Sequence, residues 1–161
     1  MRYCKVVLGL FIAACLLTGL ASAQTADEKQ LNAQIDAMKK DLRTQKQSLV
    51  DQAMGLEAAQ KSQFWSIYEG YQTALNALWD QRVANIKKYA ANYDKMTDAI
   101  ADQLAGTALD IEGQRTALKK KYYATFKEKM GARVAARFLQ VETTLGYLMD
   151  LKIGSEIPIL Q

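Results

Sequence analysis

FWSIYEGYQTALNALWDQRVANIKKYAANY, residues 64–93, is the stretch on which the fold turns. Phe64, Tyr68, Tyr71, Leu75, Leu78, Arg82, Ile86, Tyr89 and Tyr93 follow one another four or three residues apart. That is the period of one face of an α-helix. Trp65, Trp79 and Val83 widen the stripe, and Arg82 interrupts it. The spacing predicts one helix from about Leu56 to Tyr93. At about 1.5 Å per residue it would be roughly 50 Å long, where an ordinary helix has about three turns.

Downstream, Asn92-Tyr93-Asp94-Lys95 reads as a turn. Thr97 reads as an N-cap, with Asp98 in the first turn where an acid suits the helix dipole. A second long helix is predicted over Asp98–Met130, with Ile100, Leu104, Thr107, Ile111, Gln114, Leu118 and Tyr122 as its seam. Gly131 reads as a break. A closing helix then runs to about Lys152, with Val134, Phe138, Val141, Leu145 and Leu148 in register, and Gly154-Ser155 ends it. Upstream, Leu31, Ile35, Met38, Leu42, Gln45 and Leu49 form a coiled-coil-like seam for a leading helix over about Asp27–Ala53. Gly55 stops or bends it. The chain is therefore all-α: four helices, the middle two a long antiparallel hairpin. Ala, Leu, Lys, Gln and Glu dominate the composition, as strong helix formers should, and the single proline is Pro158.

Two such rods with two shorter ones make a thin, elongated layer with one apolar side partly uncovered. A layer of that kind buries little surface for its size, so self-association is expected, most simply as a symmetric homodimer. Gly106 and Gly113 lie seven apart on one stripe of the third helix, off its seam. They mark either a tolerated exposed face or a close approach by a neighbouring chain or client.

The first 23 residues are of a different kind. Arg2 and Lys5 give a basic start, Val6 to Leu20 is apolar, and Ala21-Ser22-Ala23 has the small-x-small form of a signal-peptidase cut. Residues 1–23 are read as a secretory signal and 24–161 as one helical domain. Ile12-Ala13-Ala14-Cys15 also resembles a lipobox, which would make Cys15 a lipid anchor. Leu16 to Leu20 continue the apolar run where a lipoprotein has polar residues, so cleavage after Ala23 is expected. No stable membrane insertion is expected after that cut. Arg2 and Lys5 leave with the signal, taking the 21 basic residues to 19 against 17 acidic ones, a net charge of +2. Such a balance is no nucleic-acid signature, and none is expected as a partner.

Cys4 and Cys15 leave with the signal too, and the chain has no histidine. Ser48, Ser62, Ser66 and Ser155 therefore have no imidazole to activate them. Zinc and copper lack their usual ligands. Carboxylate pairs such as Asp98 and Asp102 sit on one helical face, where they are normally solvated. No Gly-rich phosphate loop appears. The expectation is a protein that is not an enzyme and holds no metal or cofactor.

What remains is surface. The aromatics of the second helix, Trp65 beside Phe64 and Trp79 beside Leu78, cannot all point into one narrow seam. Part of this face is expected either to widen the core or to be offered to partners. Arg115, Lys119, Lys120, Lys121, Lys127, Lys129, Arg133 and Arg137 form a basic run interleaved with Tyr122, Tyr123 and Phe126. It is either a solvated face or a surface whose cationic heads attract acidic segments while their stems cover apolar ones. Trp65, Tyr68, Trp79, Lys120, Lys121, Tyr122 and Arg137 are the candidate contributors to a binding surface.

Leu56-Glu57-Ala58-Ala59-Gln60 resembles the LTxxQ motif of the Spy/CpxP family of small periplasmic proteins, matched here at Leu56 and Gln60. The order of signal, leading helix, long hairpin and closing helix is similar to that family. So are Phe64-Trp65-Ser66-Ile67-Tyr68, Leu118-Lys119-Lys120-Lys121-Tyr122-Tyr123 and the run from Ala135 to Glu142, which resemble a branch with an aromatic second helix. The resemblance implies a cradle-like homodimer in the periplasm, acting as an ATP-independent chaperone for non-native envelope proteins. Alternatively it implies a relative that restrains an envelope-stress sensor kinase through its periplasmic domain. The zinc that some relatives bind through histidines has no ligands here. Glu57 stands where the motif has Thr, so the hydroxyl N-cap is lost. Gly55 then caps instead, or the first two helices run on with a bend. A second copy of the motif is not recognisable at Met130–Val134.

Overall fold

A computed structural model describes residues 44–155 and 157–159. The chain divides into two compact units, Met1–Leu49 and Val50–Gln161. The signal, Cys15 and the seam from Leu31 to Leu42 lie outside the described residues. Residues 44–54 are helical (α1). They are followed by α2 (Ala58–Asn92), a 3-10 turn (Tyr93–Lys95), α3 (Asp98–Met130) and α4 (Ala132–Gly154). All regular structure among the described residues is helical, in four α-helices.

Local chemistry sets the ends. Gly55 takes φ +52° and its N–H bonds to the Asp51 carbonyl at 3.2 Å, so α1 stops there and does not run on into α2. The left-handed region is open to glycine at no steric cost. α2 begins after Glu57, which occupies the N-cap with extended backbone and no side-chain capping bond. At the next start Thr97 accepts from the Ile100 N–H at 3.3 Å, as a capping hydroxyl should. Gly131, at φ +87° and ψ 161°, is the whole connection between α3 and α4.

Three pairs of cross-links fix the register. Asn85 donates to the Leu104 carbonyl at 3.0 Å and Phe64 stacks on Phe126 at 5.0 Å, so α2 and α3 are antiparallel. Phe126 meets Phe138 at 4.5 Å and Arg115 meets Asp150 at 3.2 Å, so α4 folds back antiparallel along α3. Tyr68 to Glu142 and Arg82 to Asp150 then place α4 parallel to α2. α3 packs directly on both neighbours, whereas α2 and α4 meet through long side chains.

The core gathers where α2 begins, α3 ends and α4 begins. Val50 and Met54 enter it from α1, Phe64, Tyr68 and Tyr71 from α2, Phe126 from α3, and Ala135 and Phe138 from α4. The expected seams are shifted in three places. In α1 the buried positions are Val50 and Met54, while Leu49 is exposed. Phe126, grouped above with the basic run, has no exposed surface and sits at the centre of the core. Leu148, expected in the seam of α4, faces out because the buried stripe there is Ala135, Phe138 and Glu142.

Candidate interaction surface

The aromatics of α2 are largely committed to packing. Trp65 is half-buried, edge-on to Phe64 at 5.3 Å and to Tyr68 at 5.2 Å. Tyr68 is 4 % exposed, which removes it from the surface of this chain and corrects the expectation for it. Its hydroxyl donates to the Glu142 carboxyl at 2.6 Å, and Tyr71 also hydrogen-bonds to Glu142. Burial first, then the neighbouring carboxyl, push both phenols well above their ordinary range. Trp79 is half-buried beside the buried Leu78. Leu56 packs on the rim of the core, and Gln60 is exposed.

The basic candidates divide. Lys120 and Lys121 are exposed, with the Lys121 ammonium 5.6 Å from the centroid of the Tyr122 ring. Tyr122 itself is half-buried: its ring meets Tyr71 edge-on at 5.4 Å and its hydroxyl lies over Gly70. A Cβ on Gly70 would come within 2.8 Å of that hydroxyl, so glycine is what allows the close approach. Arg137 donates to the Met54 carbonyl at 2.9 Å and so ties the last turn of α1 to α4. Lys127 and Arg133 are exposed on either side of the α3–α4 turn, which leaves that end of the hairpin cationic.

A group of well-exposed apolar residues lies elsewhere. Tyr147, Leu148 and Leu151 on α4 are 70 %, 59 % and 73 % exposed. They are one turn apart or adjacent, so they form a single strip. The signal for it was present in the sequence: Leu145, Tyr147, Leu148, Met149, Leu151 and Ile153 go right round the helix, and one packed side cannot take them all. Beside the strip Asp150 points the other way. Its carboxylate pairs with Arg82 from α2 and with Arg115 from α3 at 3.2 Å, and Arg115 also holds Glu112 at 2.6 Å. Burial alone would raise the Asp150 carboxyl; the hydrogen bond from Arg82 and the charge of Arg115 outweigh it and hold it below the ordinary range. Among the described residues no helix is long and apolar enough to cross a membrane.

Comparison with family models, curated proteins and solved structures gives no match for this chain.

Proposed function

We propose that this is a periplasmic, ATP-independent chaperone of the holdase type, a divergent relative of the Spy/CpxP proteins that works as a homodimer. It holds non-native envelope proteins on an amphipathic helical surface and does no covalent chemistry. The observation that carries the reading is the exposed strip Tyr147, Leu148 and Leu151 on a helical unit whose hairpin end is cationic. Unfolded chains offer apolar and acidic segments without fixed shape. An apolar strip together with mobile ammonium and guanidinium groups recognises such segments loosely. Lys120 and Lys121, which stay at the surface, supply the cations; Trp65, Trp79 and Tyr122 contribute only their half-exposed edges.

The test is suppression of aggregation of an unfolded protein by the chain from Gln24 onward, without ATP, beside a measurement of its mass in solution. Suppression at several-fold molar excess, by a dimer, is expected. No suppression, with saturable binding to one folded sensor domain, would replace this reading with that of a regulatory adaptor.

A further inference from the structure

The two halves of α4 are held in different ways. Ala135, Phe138 and Glu142 are buried, but after Glu142 every described residue of the helix is half-buried or exposed. In the second half Leu145 packs on the rim of the core, and beyond it the ties are polar. Asp150 sits between Arg82 and Arg115, with Glu112 beside Arg115; these are the charged groups that face it from α2 and α3. Beyond the helix, Tyr89 donates to the Pro158 carbonyl at 2.6 Å and Tyr93 to the Ile159 carbonyl at 3.0 Å. The register of the Asp150 pairs lays this segment along Leu78 and Ile111, each one turn from a paired arginine and each buried.

We propose that residues 143–155 and 157–159 form a strap that opens from the α2–α3 hairpin, with Asp150 as its latch, while the first half of α4 stays packed. Charge pairs with a side chain about a third in water hold weakly and are screened by salt, and a segment with few buried apolar contacts is where local opening has its lowest cost. Opening frees the inner side of the strap, Leu145, Met149 and Ile153, and uncovers Leu78 and Ile111. The outer strip Tyr147, Leu148 and Leu151 is then joined by a second apolar face. This regulates the client surface, and that part rests on the chaperone reading; the movement itself does not.

Hydrogen exchange along α4 in the chain from Gln24 onward separates the two. Amides of 143–154 should exchange at least tenfold faster than those of 134–142. Asp150→Asn should speed the second half further and leave the first unchanged, and Asp150→Glu should restore most of the protection. Uniform protection along α4, or an Asp150→Asn effect spread evenly over the whole helix, would overturn the strap. An opened strap in Asp150→Asn with greater suppression of aggregation supports both ideas. An opened strap with no suppression by either protein upholds the movement and removes the chaperone reading.

Discussion

Glu142 is the residue whose role the sequence hides best. A carboxyl in mid-helix is normally solvated, and its partner Tyr68 stands 74 positions earlier. Arg82 was visible as a break in the α2 stripe, yet its partner Asp150 lies 68 positions on and nothing local points to it. Sequence periodicity reports which side of a helix is apolar; it does not report which polar residues from distant segments meet there. The Glu142 contact predicts an asymmetric mutational response. Glu142→Ala strands two buried phenol hydroxyls, at about 1–3 kcal/mol for each one left unpaired, so it should lose about 2–6 kcal/mol. Glu142→Gln keeps an acceptor oxygen and should lose distinctly less. Urea midpoints of the two variants check this, and equal losses would show that the hydroxyls do not depend on the carboxyl.

Helix ends were read from the sequence more accurately than helix faces. Capping is local chemistry: Thr97, Gly131 and Gly55 each fixed an end through their own backbone or side chain. Faces depend on what arrives from elsewhere: the helical period places Leu148 inward, although the buried stripe of α4 runs through Glu142. The glycines carry this distinction into a prediction. Gly131 occupies a conformation almost reserved for glycine, and Gly131→Ala should cost about 1–3 kcal/mol. Gly106 and Gly113 have helical backbone, and a methyl group on either would meet nothing within 4 Å beyond its neighbours and the local helix backbone. Each should gain about 0.5–1 kcal/mol on replacement by Ala. Thermal unfolding of the three single variants gives the signs. The mass in solution of Gly106→Ala and Gly113→Ala, set beside that of the unaltered chain, distinguishes the two readings of their stripe. Unchanged association fits an exposed face, and lost association would mean that a second chain packs against the glycines.

Across the Val50–Gln161 unit the two ends should fail at opposite extremes of pH. At the strap end, Asp150 has a folded pKa below its unfolded one. Its stabilisation is present above the unfolded value and is lost as pH falls through the folded value; solvent exposure of the carboxylate keeps the effect small. At the core end, Tyr68 and Tyr71 have folded pKa values far above the unfolded value of about 10. Their contribution is intact below that value and drains away above it, because the unfolded chain gives up phenol protons that the folded core retains. Raising the pH should therefore produce a cooperative loss of helical circular dichroism above about pH 10. A rise in tyrosinate absorbance should accompany it. Tyr68→Phe, though it gives up its hydrogen bond to Glu142, should make stability fall less steeply with pH in that range and remove one phenol from the coupled absorbance step. The two buried phenols can ionise only when α2, α3 and α4 separate, so tyrosinate absorbance that reached its full amplitude while helicity was intact would contradict the packing of Tyr68 and Tyr71 against Glu142.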